Sequence, residues 1–323
     1  MRAPPFLNTF LNPFLASLMA LLSPDPTRAE AVRIPGPTGP LEAEAIAVDN
    51  ATHVVVIIPG SGPTDRDGNN PMGLATDTYR MIAAGLAAQG IASLRIDKRG
   101  YAGSARAVAD PGDIDVAGYV DDARAWVTRA RDMAPCVWLA GHSEGGLIAL
   151  LAAAEPPEGL CGLILMAAPG RPIGRLLIEQ MGANPATSAL LPQVESIVAD
   201  LEAGRTRDPM TLPPALQPMF QPGLQRYMKG LFKWDPAQVA GDWSGPALIL
   251  QGDADLQVRP RDADLLAAAM PQATRIDLPG ATHMLKADVP GQPLAGYTDR
   301  SLPLDPALVP AIAGFLAQFD PPG

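Results

Sequence analysis

A serine, a histidine and an aspartate stand in this chain where they could act together on an acyl group. Ser143 lies in Gly141-His142-Ser143-Glu144-Gly145. The apolar run Val137-Trp138-Leu139-Ala140 leads into it, and the small, apolar Gly146-Leu147-Ile148-Ala149 follows. The pattern G-x-S-x-G in that setting predicts strand, sharp turn and helix, with the serine at the apex. The glycines serve a steric need, because a strained serine backbone is tolerated only where strand and helix pass without Cβ clashes. A serine so placed is a nucleophile once a base takes its proton. The helix after it aims its first N–H groups at the place where an oxyanion would form.

The base must be one of three histidines. His53 precedes the β-branched run Val54-Val55-Val56-Ile57-Ile58 and is expected at the N-terminal end of that strand, away from the serine. His142 adjoins Ser143, and its side chain is expected to point away from the serine's. His283 follows the last predicted strand in Leu278-Pro279-Gly280-Ala281-Thr282-His283, in a loop at the C-terminal edge of the sheet. In the α/β-hydrolase arrangement the chain order is serine, acid, histidine, and only His283 satisfies it. The acid is expected in Gly252-Asp253-Ala254-Asp255-Leu256-Gln257-Val258. Asp255 is favoured, since the residues after it let its carboxylate reach back over the strand end. Asp253 is the reserve, and the aspartate not used is expected to bond within its own loop. A carboxylate at the elbow would indicate dehalogenase chemistry, but Ser143 stands there. For the oxyanion, the backbone N–H of Glu144 is one expected donor, and the Gly60-Ser61-Gly62 loop supplies the other, through Ser61.

These residues need a scaffold. Val32 to Ile34 and Leu41 to Val48 flank a turn-rich stretch and predict an antiparallel hairpin. Strand-like runs at 54–58, 91–96, 137–140, 160–166, 247–252 and 274–278 alternate with helical patterns at 77–89, 115–133, 262–270 and 308–319. That rhythm predicts a mostly parallel central sheet with helices on both faces. It breaks between about Arg171 and Trp243, where Leu176 to Gly182, Leu191 to Glu202 and Pro222 to Phe232 read as short amphipathic helices. Met181, Met210, Met219 and Met228 in this segment suit an adaptable apolar surface. The expected organisation is therefore a core over 32–170 and 244–323, with a helical cap inserted at 171–243.

Of the 323 residues 18% are charged and the net charge is −10, which argues against nucleic acid or an anionic membrane as partner. Residues 1–31 read as a secretory signal peptide: Arg2, then an apolar core from Phe14 to Leu22, then Ala29-Glu30-Ala31 with cleavage after Ala31. Export to the periplasm or medium follows, with no stable membrane insertion once the leader is removed. No later stretch is apolar enough to span a bilayer. Cys136 and Cys161, the only cysteines, open two runs expected to be neighbouring parallel strands. Two small unbonded core residues are the favoured reading, since cross-strand disulfide geometry is demanding, and an oxidising compartment keeps the disulfide open as the alternative.

Taken together, Pro59-Gly60-Ser61-Gly62-Pro63 with Asp65-Arg66-Asp67-Gly68-Asn69, the Gly141–Gly146 elbow, Gln251–Val258 and Thr282-His283-Met284-Leu285-Lys286 resemble the EstD-like bacterial serine carboxylesterases of the α/β-hydrolase superfamily. The resemblance covers nearly all of the chain after the leader. It implies a carboxylesterase acting on small-molecule, short-chain acyl esters without cofactor or metal. Thr282 stands where the family pattern has Asn. The Asp65–Asn69 stretch is not a calcium loop, because its glycine falls at the fourth position and Thr76 stands at the twelfth. It is expected to brace the oxyanion loop, and Asp97-Lys98-Arg99-Gly100 is expected to lock a strand-end loop without touching substrate. The same three residues would equally serve a serine aminopeptidase, a lactonase or a thioesterase, and the scaffold alone would serve a non-catalytic binding module.

Overall fold

The computed structural model describes residues 29–319. The expected leader therefore lies outside the described residues, apart from Ala29, Glu30 and Ala31. These three begin strand β1 (Ala29–Ile34), which is followed by β2 (Leu41–Ile46), β3 (His53–Ile58), β4 (Ala92–Ile96), β5 (Cys136–His142), β6 (Leu160–Met166), β7 (Ala247–Gly252) and β8 (Thr274–Leu278). Cleavage after Ala31 would leave Val32–Ile34 of β1.

The strands form one sheet in the order β1-β2-β4-β3-β5-β6-β7-β8. β1 and β2 are the antiparallel hairpin, β2 runs antiparallel to β4, and the remaining pairs are parallel. In register, Ile58 lies beside Gly141 and Ala140 beside Ile164. The central strands β3 and β5 are buried along their whole length. Their unbroken apolar runs reflect helices covering both faces.

Alternate residues of one strand feed two cores. Val54, Val56 and Ile58 join the core under α2 (Val116–Ala130), α3 (Glu144–Ala153) and α8 (Pro260–Ala269). Val55 and Ile57 join the core under α1 (Thr78–Ala88) and α10 (Leu308–Leu316). α2 starts where the sequence signals it, with the Asp115 carboxylate accepting from Gly118 N at 2.7 Å. α3 is buried at every position, which explains its small, uncharged sequence after Glu144.

Between β6 and β7 the chain forms α4 (Ile173–Ala183), α5 (Leu191–Glu202), α6 (Pro222–Phe232) and α7 (Pro236–Gly241). α5 and α6 carry proline in the first turn, where its missing N–H costs nothing. Val194, Ile197, Val198, Leu201, Phe220 and Leu231 are buried and continuous with the core beneath α2 and α3. These helices are thus packed onto the sheet domain through apolar side chains. Arg226 adds a polar tie by donating to the Gly112 carbonyl at 2.7 Å. The short helix α9 (Ala295–Thr298) precedes α10. Among the described residues no helix is long and apolar enough to cross a membrane.

The cysteines correct the favoured reading of unbonded residues. Cys136 and Cys161 are joined as a disulfide with a Cα–Cα separation of 5.5 Å, inside the usual range. The strand register supplies the reason. Val137 pairs with Leu160 but Trp138 pairs with Gly162, so Cys161 is an extra residue at a bulge. A bulge re-aims its side chain, and here it brings the sulfur to the neighbouring strand.

Candidate active site

Parallel strands deliver their C-terminal loops to one edge of the sheet, and that edge is where such folds place ligands. The loop after β3 supplies Ser61, the loop after β4 Lys98, the turn after β5 Ser143, the loop after β7 Asp255, and the loop after β8 His283.

Ser143 has φ 53° and ψ −125°, a conformation most side chains avoid, as strained backbone at functional sites often is. Close packing holds it. A Cβ on Gly141 would lie 2.2 Å from the Gly145 carbonyl oxygen, and one on Gly145 would lie 2.5 Å from that of Ile58. Gly146 is equally constrained, since its Cβ would come within 2.4 Å of the Ala168 Cβ. Ser143 N donates to the Met166 carbonyl at 2.9 Å, which ties the turn to β6.

Asp255 and His283 meet: Nδ1 of His283 lies 2.8 Å from Oδ2 of Asp255, and both residues are buried. The other carboxylate oxygen accepts from Gln257 N at 2.7 Å and Val258 N at 2.9 Å. Burial pushes the Asp255 carboxyl up, but the His283 ring and these N–H donors outweigh it and leave the pKa below the ordinary value. Asp253 is elsewhere. Its carboxylate is exposed and accepts from Gly280 N at 2.6 Å, so it bonds the neighbouring histidine loop and not its own, as the sequence had suggested. Thr282 closes that loop, its hydroxyl donating to the Lys286 carbonyl at 3.0 Å.

His142 is drawn into the site more closely than its position suggested. Its Nε2 lies 2.7 Å from the His283 carbonyl oxygen and its Nδ1 lies 2.8 Å from the Tyr79 hydroxyl. A carbonyl only accepts, so Nε2 carries the proton and Nδ1 accepts from Tyr79. The Tyr79 oxygen in turn accepts from Gly60 N at 3.1 Å. Burial, then the neighbouring His283, push the His142 pKa down to about 3, so the ring is neutral under ordinary conditions. His53, as expected, is remote from this edge and accepts from the Trp138 indole at 3.1 Å.

Ser61 and Glu144 lie together beside Ser143. A Cβ placed on Gly60 would come within 3.3 Å of the Ser143 Cβ, so the loop after β3 rests directly against the elbow. The Ser61 hydroxyl donates to Oε2 of Glu144 at 2.9 Å, and the Tyr227 hydroxyl donates to Oε1 at 2.7 Å. Lys98 Nζ lies 3.6 Å from the same carboxylate and donates to the Gly60 carbonyl at 2.6 Å. Burial pulls the Lys98 pKa down, against the opposing pull of Glu144. The segment expected to lock a strand-end loop divides by residue. Asp97 does lock the loop, holding Arg66 at 2.9 Å through Nε, and Arg99 pairs with Asp122 at 2.6 Å. Lys98 instead faces the cavity. Its signal in the sequence was a lone lysine between two residues that pair with distant partners, and nothing there set it apart. The Glu144 side chain was missed for the same reason, since only its N–H had an evident use.

The Asp/Arg brace of the loop after β3 is present. Arg66 bridges Glu42 and Asp97, and Arg95 bridges Glu44 and Asp67. Among the described residues no group of three or more His, Cys, Asp or Glu side chains is placed to hold a metal.

A cavity of about 650 Å³ opens over Ser143. Its floor includes Ser61, Lys98 and Glu144, and its roof comes from α4 and α6. Met219 and Met228 line it, whereas Met181 is buried in the core and Met210 is exposed.

Comparisons with known proteins bear on the fold. The family model described as serine aminopeptidase, S33 matches residues 72–217, a span that contains the elbow. Esterase EstD of Thermotoga maritima is 27% identical over 240 residues, covering 72% of this chain and 51% of that protein. The chain thus spans about half the length of the curated relative it matches. Among solved structures, Est1E from Butyrivibrio proteoclasticus superposes with a TM-score of 0.57 at 18% identity, covering 89% of this chain and 98% of that one. An esterase from Pyrococcus furiosus gives 0.59 at 14% identity, covering 91% and 92%. At such identities the structural likeness speaks for the fold. With the mostly parallel sheet and the strained serine turn at one sheet edge, the chain has the α/β-hydrolase fold.

Proposed function

We propose that this protein is a serine carboxylesterase, in which Ser143 attacks the ester carbonyl, His283 shuttles the proton and Asp255 holds the imidazole. The observation that carries the reading is the buried Asp255–His283 hydrogen bond on the same sheet edge as a serine held at φ 53°. Asp255 fixes the proton on Nδ1 of His283, which leaves Nε2 to accept the proton of Ser143. The tetrahedral oxyanion is received by the N–H groups of Ser61 and Glu144, and water then releases the acyl group from Ser143. The helices α4 to α6 form the cap that selects the substrate.

Esters are favoured over aminoacyl amides by the state of the cavity wall. An aminopeptidase needs a free anion for the substrate's ammonium group. Glu144 is the only carboxylate among the described residues lining the cavity, and Ser61, Tyr227 and Lys98 already engage it. The lining from α4 and α6 is otherwise mainly apolar, with Ile173, Leu176, Leu177, Met228 and Phe232. The volume suits an acyl or alcohol group larger than acetyl. A structure of Est1E has ferulic acid bound, and an ester of an apolar acid is the kind of substrate this lining favours. Export to an oxidising compartment is the accompanying proposal, and the Cys136–Cys161 disulfide supports it.

The test is a panel of p-nitrophenyl esters of rising acyl length beside amino-acid p-nitroanilides, run on the wild type and on Ser143→Ala. Ester turnover that vanishes in the variant, with little or no anilide turnover, is expected. Ester hydrolysis that survives Ser143→Ala would overturn the nucleophile, and anilide turnover exceeding ester turnover would favour the peptidase reading.

A further inference from the structure

The backbone and side chain around the Gly60–Ser61 peptide group are held from three sides. Lys98 Nζ donates to the Gly60 carbonyl at 2.6 Å. The preceding N–H, that of Gly60, is held by the Tyr79 hydroxyl at 3.1 Å. The Ser61 side chain is anchored on Glu144 at 2.9 Å. Among the described residues, the Ser61 N–H has no hydrogen-bond partner. In a planar trans peptide the carbonyl and the N–H point in opposite directions. Fixing the Gly60 carbonyl therefore fixes the direction of the Ser61 N–H.

We propose that Lys98 is a positioning residue for the oxyanion hole: by gripping the Gly60 carbonyl it aims the Ser61 N–H, across the same peptide plane, at the oxygen of the tetrahedral intermediate on Ser143. The inference rests on the esterase reading and deepens it. Three further observations support it. The loop lies against the nucleophile, with the Gly60 Cα leaving only 3.3 Å between a built Cβ and the Ser143 Cβ. The second expected donor is the N–H of Glu144, and the side chains of the two donor residues bond each other, which sets the spacing between their N–H groups. Finally, Lys98 is nearly fully buried, where an ammonium is costly. It is kept there by the Gly60 carbonyl, by Glu144 at 3.6 Å and by the face of the Tyr119 ring, 5.2 Å away.

A cation at the carbonyl end of the peptide does more than a neutral donor would. It polarises the peptide so that the N–H end becomes more positive. This effect acts only weakly on an uncharged ester before attack. The contribution therefore belongs to the transition state and not to substrate binding. The competing account is that Lys98 merely neutralises Glu144.

The experiment uses the full chain. Wild-type enzyme is first treated with a fluorophosphonate and the modified residue is located by mass spectrometry. If Ser143 is not modified, the esterase reading itself fails. With Ser143 modified, Lys98→Met is expected to lower kcat on p-nitrophenyl butyrate by about 10- to 100-fold, with KM within about threefold of wild type. Affinity for a phenylboronic acid, whose tetrahedral adduct places an oxygen in the hole, should fall in parallel with kcat/KM. The double variant Lys98→Met/Glu144→Gln leaves no buried charge alone and guards against misfolding of the single one. It should show the same loss. A folded Lys98→Met enzyme with unchanged kcat, a loss confined to KM, or a double variant restored to the wild-type rate would each overturn the proposal.

Discussion

The ring of His142 donates from Nε2 to the backbone carbonyl of His283 at 2.7 Å. This bond joins the turn that carries Ser143 to the loop that carries the proposed base. The other ring nitrogen accepts from Tyr79, which accepts from Gly60. One neutral imidazole thus links the elbow, the His283 loop and the Gly60–Ser61 loop.

The link has a pH signature. The His142 pKa falls from 6.5 to about 3, through burial first and the nearby His283 second. Between those values the unfolded chain carries a proton on this ring that the folded chain does not. Stability therefore falls as pH falls through this window, by up to about 1.4 kcal/mol per pH unit from this group. Urea denaturation at intervals from pH 7 to pH 4.5 should give a steeper loss for wild type than for His142→Asn. His53, which burial also depresses, is common to both proteins and drops out of the difference. Equal slopes would mean that the ring is already protonated in the folded state.

The two aspartates after β7 should separate by activity. Asp255→Asn keeps the shape but loses the charge facing His283 and favours the wrong tautomer. A fall in kcat of about 10⁴-fold is expected. Asp253→Asn touches only a surface bond to Gly280 N and should remain within about threefold of wild type. Steady-state kinetics on one p-nitrophenyl ester decides the pair, and the reverse ranking would exchange their roles.

The methionines of the segment between β6 and β7 divide by position. Met219 and Met228 line the cavity, and Met210 is 76% exposed. Met228→Ala enlarges the space above Ser143 and should shift the preferred acyl chain towards longer esters, while Met210→Ala should leave the profile unchanged. Relative kcat/KM across chain lengths measures this. A shift in the Met210 variant, or none in the Met228 variant, would place the selective surface elsewhere.

The elbow should not accept a methyl group. In Gly146→Ala the new Cβ would come within 2.4 Å of the Ala168 Cβ, so α3 and the loop after β6 must part. Overpacking of this kind costs about 1–3 kcal/mol, to be read from the urea midpoint at constant m-value. A midpoint at the wild-type value would show that this contact relaxes freely.

The local pattern of the sequence determined most of the scaffold. Alternation of apolar runs with amphipathic ones predicted the hairpin and the parallel strands, because burial on one face or on both imposes its own period on the chain. α5 and α6 begin and end where the residues signal, and α1 begins one residue after the predicted start. The elbow was legible too, since its glycines answer a steric demand set within a few residues. Histidine and aspartate pairing was narrowed by chain order, and the residues after Asp255 favoured it over Asp253, but the contact between Asp255 and His283 is visible only in the three-dimensional path of two loops.

Other features were decided by the tertiary structure alone. The Cys136–Cys161 bond depends on a bulge between β5 and β6, and register between strands is not written in either strand by itself. Lys98, Glu144 and Tyr227 come from three separate elements, and none of them has a spacing that points to the others. Their meeting is a property of how strands β3, β4 and β5 lie side by side beneath α6. Periodicity reports which face of an element is buried. It carries no information on which polar side chains converge where several elements end together, and that convergence is where the proposed chemistry of this protein resides.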